Sequence, residues 1–248
     1  IYCMAGKPDT WSEPAALKEN LHMIKRLQKL RKKLAAGETC PGMWMQMCSP
    51  MSAEIIADAG LDWVIFDSEH HPFNPETLFH ILLAFRGTDT VPLIRVPWND
   101  AVMIKQVLDI GFGGILTPNT NTPEEVRRAV AACRYPPVGI RGAGWTRPSQ
   151  YSRDGGEYIR EANDSIICAI QIENVIGTEQ IEEIVRVPGL DWIMTGPTDM
   201  SGTVGEFPNT HHPDLQRALG RIFKVAREAG IPCSSGMPLY TAEEIREA

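Results

Sequence analysis

The chain has 248 residues, 43% of them hydrophobic and 22% charged, with a net charge of -7. That size and balance fit one soluble globular unit of α/β-barrel length, and the negative charge argues against nucleic-acid binding, which needs a basic face. No apolar stretch approaches the roughly 18 residues of a membrane span, and nothing at the N-terminus resembles a signal peptide. Cys3, Cys40, Cys48, Cys133, Cys168 and Cys233 are scattered without CxxC spacing. They read as mostly reduced core residues, which points to a cytoplasmic protein.

Residues 1–13 are polar and proline-bearing and read as an N-terminal arm, with 14–248 as a single barrel domain. From Pro14, Leu17, Leu21, Ile24, Leu27, Leu30 and Leu34 recur every three or four residues, the spacing of a helix face. The other face carries Lys18, Lys25, Arg26, Lys29, Arg31, Lys32 and Lys33. It reads as the solvated side of a helix packed by its leucine stripe, rather than as a membrane or anion surface. Gly37 ends this helix as a C-cap residue would.

Beyond Gly37 the texture alternates. "PGMWMQM" is a strand, "SAEIIADAG" a short helix, "WVIFDS" a strand, and Asn74-Pro75 opens a helix to about Arg86. "VPLIRV" follows as a strand, then Asn99 as N-cap of "DAVMIKQVLDIG", then the strand "GGILTP" and the helix "TPEEVRRAVAACR". A long irregular stretch, "RYPPVGIRGAGWTRPSQYSRDGGEYIREANDS", reads either as a functional or oligomer-contact loop or as an ordered crossover. After it come "CAIQIE", the helix "GTEQIEEIVRV", "WIMTG", the helix "PDLQRALGRIFKVAREAG" and "PCSSGM". Apolar strands alternating with helices mean a parallel sheet covered by helices. Seven units predict an α/β fold, a (β/α)8 TIM barrel with the N-terminal helix packed on it and the eighth unit not present in these 248 residues.

In such a barrel the active site lies at the C-terminal ends of the strands. Those ends deliver Gln46; Asp67, Glu69 and His70; Arg95; Thr117 with Pro118 and Asn119; Gln171 and Glu173; Asp199 and Ser201; and Ser234 with Ser235. Glu173 and Asp199 fall on neighbouring strands, where two carboxylates suit a hard cation, Mg²⁺ or Mn²⁺, with waters and substrate filling the rest. Singly, each acid would read as a helix cap or an arginine's partner. No Cys/His cluster suits zinc. His70 is a natural base near neutral pH, although a lone histidine is more often a structural hydrogen-bonder. Asp109 ends a helix where an acid opposes the dipole, which hints at a partner such as His70. Arg95 in an apolar strand demands an anion; a salt bridge to Asp67 or Glu69 would meet that demand too.

Taken in order, "WVIFDSEHHP", "PLIRVPWND", "IKQVLDIGFGGILTPNT", "QIEN" and "GPTDMSGTVG" resemble the HpcH/HpaI aldolase family, from about Gly37 to Ala248. The resemblance implies a metal-dependent class II pyruvate aldolase, cleaving or forming 4-hydroxy-2-oxoacids through a pyruvate enolate and an aldehyde. It implies Glu173 and Asp199 as metal ligands for Mg²⁺ or Mn²⁺, and Gln171 with the backbone of Thr198 and Asp199 as 2-oxoacid contacts. His70 matches the base, Asp109 its basicity partner, and Arg95 the stabiliser of enolate charge. Assembly as a homo-oligomer, a trimer of dimers, is implied as well, with small-molecule partners and neither nucleic acid nor membrane. The chain departs from the family pattern at Ser68 and Gly202, and at Thr198, which is expected to narrow the carboxylate pocket. Other readings are an oxaloacetate decarboxylase or macrophomate-synthase-like enzyme using the same enolate, and a catalytically silent carboxylate-binding barrel.

Overall fold

In a computed structural model the described residues are 22–153 and 155–236. The expected arm, the first part of the expected first helix and the closing "TAEEIREA" lie outside them. Seven strands run parallel and pair in chain order: β1 (Gly42–Met45), β2 (Trp63–Asp67), β3 (Val91–Arg95), β4 (Gly114–Thr117), β5 (Ile167–Ile172), β6 (Trp192–Thr195) and β7 (Cys233–Ser235). All residues of β3, β4, β5 and β6 are buried, as apolar strands covered on both faces should be. The sheet curls: the rings of Trp63, opening β2, and Trp192, opening β6, meet edge to face with centroids 5.1 Å apart. Strands four places apart in the order can meet only in a sheet bent towards a barrel.

The helices are α1 (His22–Ala35), α2 (Pro50–Ala57), α3 (Pro75–Leu82), α4 (Ala101–Ile110), α5 (Pro123–Cys133), α6 (Gly155–Ser165), α7 (Val175–Glu179), α8 (Ile181–Ile184), α9 (Pro197–Thr203) and α10 (Pro213–Glu228). Five of them, α2, α3, α4, α5 and α7, begin where the sequence supplies a side-chain oxygen for the orphan N–H groups of the first turn. Asn74 Oδ1 accepts from Thr77 N at 2.9 Å, and Thr122 with Glu125 forms a capping box on α5. The expected cap Asn99 is replaced by its neighbour: Asp100 Oδ1 accepts from both Val102 N and Met103 N. Asn99 reaches away instead, donating to Glu125 O at 2.8 Å. The helix expected over 177–187 breaks at Gln180 into α7 and α8. The last third of the long irregular stretch is helix α6, so the crossover reading holds there. Among the described residues no helix is long and apolar enough to cross a membrane.

Helix α1 lies across the barrel floor, the end where the strands begin. Ile24, Leu27 and Leu30 are buried, each contributing about 1.5–3 kcal/mol by leaving water. Part of the basic face read as solvated is committed to this floor. Arg26 is buried and donates to Phe85 O and Thr90 O. Lys33 pairs with Asp62 at 2.6 Å, and Arg31 reaches Ser165 O, Ile166 O and Asp191. Asp191 also takes Arg134 and the N–H of Cys168. Apart from Phe85, each of these acceptors lies at or just before the start of a strand.

Candidate active site

At the opposite rim the strand ends converge as the sequence predicts. Arg95 closes β3 and is 8% exposed. Asp67, closing β2, holds it from one side: Nε donates to Asp67 Oδ1 and Nη2 pairs with Oδ2, both at 2.8 Å. This fork-on-fork geometry fixes the plane of the guanidinium. Nη1 points elsewhere, donating to Gln171 Oε1 at 3.3 Å. Glu69 Oε2 lies 3.1 Å from Nη1, but the angles are wrong for a hydrogen bond and this buried oxygen accepts none. Trp44 of β1 covers the guanidinium at 4.6 Å. The salt bridge weighed for Arg95 is therefore present, and the side chain faces Gln171 as well.

Glu173 follows β5 and is 8% exposed. Its Oε2 accepts from the N–H of Asn119 at 2.6 Å. Gly196 borders its other side: a methyl group there would sit 2.6 Å from Glu173 Cγ and 2.8 Å from Oε1. Burial, aided by repulsion from Glu69 and Asp199, pushes the Glu173 carboxyl up to about 7 against the Asn119 hydrogen bond and Arg95. Glu69 is raised too, first by burial and then by Asp67 and Asp199. Asp67 goes the other way. Burial alone would raise it, but the bonds from Arg95 and His71 outweigh burial and hold it below the usual carboxylate range.

Asp199 and Thr198 sit exposed in the first turn of α9, where backbone N–H groups lack helical partners. The two neighbouring histidines separate cleanly. His71 is tied by Nδ1 to Asp67 at 2.8 Å, whereas the His70 side chain is 61% exposed and its ring lies 3.5 Å from Glu69. Asp109 is not with them. Each helix runs back from rim to floor, so the last residues of α4 lie at the floor. There Asp109 Oδ1 accepts from the fully buried Arg141 at 2.8 Å. No contact between Asp109 and His70 occurs among the described residues, and the expected dyad is not formed within one chain. Ser201 Oγ bonds back to Thr198 O and Ser234 Oγ accepts from Trp192, so both are used locally. From the sequence, Asp67 and Glu69 have a role only as salt-bridge partners weighed for Arg95, Asn119 is placed at a strand end without a role, and Asn121 is not singled out. The signal was there: polar residues packed between an apolar strand and a capping box have no packing reason to be buried.

The rim thus gathers four carboxylates, Asp67, Glu69, Glu173 and Asp199, around one guanidinium. Asp67 and Glu173 are buried and Glu69 half-buried, and like charges crowded in this way favour a cation beside them. Among the described residues no three His, Cys, Asp or Glu side chains already form a metal cage; a site with two protein ligands falls below that number.

Residues 41–245 match the family HpcH/HpaI aldolase/citrate lyase. The chain belongs to that family. Among relatives, the 5-keto-4-deoxy-D-glucarate aldolase of Salmonella paratyphi A is 37% identical over 211 residues, 85% of this chain and 82% of that one. The crystal structure of an HpcH/HpaI aldolase from Desulfitobacterium hafniense superposes with a TM-score of 0.81 at 30% identity, covering 88% of this chain and 85% of that one. Macrophomate synthase is similar at a TM-score of 0.74 and 27% identity, over 84% of this chain and 74% of that one. The protein is accordingly an enzyme of the aldolase type, a carbon–carbon lyase.

Proposed function

We propose that the enzyme cleaves and forms 4-hydroxy-2-oxoacids through the enolate of pyruvate, with a divalent cation at Glu173 and Asp199. The observation that carries this reading is the imbalance at the rim, where among the described residues four carboxylates face the one guanidinium of Arg95, beside an exposed histidine. Mg²⁺ or Mn²⁺ held by Glu173 and Asp199 would supply a Lewis acid for the ketoacid carbonyl.

The chain's own groups account for the rest. Gln171 and the backbone N–H groups of Thr198 and Asp199 hold the 2-oxoacid, the latter as a helix N-terminus holds a carboxylate. Arg95, fixed by Asp67, turns Nη1 towards Gln171 and stabilises the negative charge that grows on the keto oxygen. His70 takes the proton from the methyl carbon in the condensing direction and returns it after cleavage. His71 is unsuited to that role because Asp67 already holds it. Asp109, at the floor, serves as a partner to His70 only across an interface with a second copy of the chain, in keeping with a cytoplasmic homo-oligomer.

The test is exchange of the pyruvate methyl protons into deuterium oxide. Chelator-treated enzyme should lose exchange and regain it with Mn²⁺ or Mg²⁺; full activity in chelator would sink the reading. Bound Mn²⁺ without any exchange would instead mark a silent carboxylate-binding barrel. The likeness to macrophomate synthase supports a second reading, an oxaloacetate decarboxylase or macrophomate-synthase-like enzyme using the same enolate. It wins if oxaloacetate is consumed faster than a 4-hydroxy-2-oxoacid is cleaved.

A further inference from the structure

Between the end of β4 and the start of α5 the chain reads Pro118-Asn119-Thr120-Asn121-Thr122. Asn119 adopts φ +45°, the left-handed region. Asparagine tolerates that region, whereas a β-branched residue does not. In this conformation its N–H meets Glu173 Oε2 at 2.6 Å. Thr120 N donates to Gln171 O at 3.0 Å, so the turn is anchored on the last residues of β5.

Asn121, 7% exposed, locks the other side of the same acid. Its Oδ1 accepts from the backbone N–H groups of Glu173 at 3.0 Å and Asn174 at 3.1 Å. Backbone N–H groups only donate, so the amide's orientation is fixed by them. Its Nδ2 then donates to Asn119 Oδ1 at 2.7 Å, closing a loop of bonds. Glu173 is held by its backbone and by one carboxylate oxygen, and Gly196 packs on the far side so closely that an added methyl group would clash with it. Among the described residues Oε1 accepts no hydrogen bond.

We propose that Asn119 and Asn121 are positioning residues. They clamp Glu173 so that Oε2 stays on the protein and Oε1 is the oxygen left for a cation, and the left-handed backbone at Asn119 is the feature that does it. The inference rests on the cation reading given above. It differs from a purely structural role for the turn in what it predicts for metal binding.

Binding of Mn²⁺ alone to the resting full-length enzyme, read by paramagnetic relaxation of water protons, tests it, with melting temperature in chelator as control. N119V, which opposes φ +45°, should weaken Mn²⁺ binding about 10- to 100-fold, the usual cost of losing a partner that orients a metal ligand. N121A should do the same. N119G, which keeps both the N–H and the backbone freedom, should stay within about threefold of the parent. If N119V proves unfolded in chelator, the comparison of N121A with N119G decides. A folded N119V or N121A with parental Mn²⁺ affinity overturns the clamp, as does an N119G that loses affinity as badly as N119V. A parent enzyme that binds no Mn²⁺ at all sinks the cation reading itself, a result distinguishable from either.

Discussion

The two ends of this curled parallel sheet are built from the same kinds of charged residue and treat them in opposite ways. At the floor each carboxylate is matched by a cation: Asp191 receives Arg31, Arg134 and a backbone N–H, and Asp109 receives Arg141, although Arg141 Nε is itself buried without a hydrogen bond among the described residues. At the rim charges are crowded and left under-compensated, with Glu69 Oε2 buried without a hydrogen bond and Glu173 pushed up to about 7. Satisfied buried charge holds a fold together, and unsatisfied buried charge waits for a ligand.

Substitutions at the two ends should therefore fail differently. E173Q should abolish Mn²⁺ binding and lower kcat/KM by about a thousandfold or more, since the Lewis-acid contribution is worth several kcal/mol, while the melting temperature in chelator holds or rises. A large fall in that temperature would blur the distinction between the ends. D191N strips two arginines of their carboxylate, and Arg134 is 4% exposed. It should cost roughly 3–5 kcal/mol in urea unfolding, with Mn²⁺ affinity of the folded fraction unchanged.

A smaller effect follows from pH. The folded-state pKa of Glu173 stands at about 7 against an ordinary value of 4.5. Folding thus favours its protonated form, and that stabilisation is complete below about 4.5 and lost as pH rises through about 7. Metal-free enzyme should melt at progressively lower temperature across that window, and E173Q should flatten the trend. Mn²⁺ affinity should rise over the same range, because the ligand must be deprotonated. The smallest change belongs to K29A on the floor's outer edge, where Lys29 and Asp89 are both more than half exposed. Its melting temperature should be indistinguishable from the parent's.

The strands and most caps were legible because their cause is local. Apolar runs such as "CAIQI" and oxygens such as those of Asn74 and Thr122 act within a few residues. Asn99 and Asp100 are adjacent and both cap-forming, and only the distant carbonyl of Glu125 decides between them. Helix α6 was hidden by a Gly-Gly start and polar residues, and is held by burying Tyr158 and Ala162. Glu173, Gln171 and Arg95 were recoverable from strand ends alone. The placement of Asp109 was not taken from the sequence, although topology contained it: in a parallel sheet a helix's last residue lies opposite the strand tips.

Because the seven strands pair in chain order, neighbouring corners of the site are contributed by separate short segments of the polypeptide. An insertion after one strand alters one corner and leaves the other segments in register. A scaffold of this kind lets the shape of one corner be altered by local editing, without renegotiating how the molecule folds.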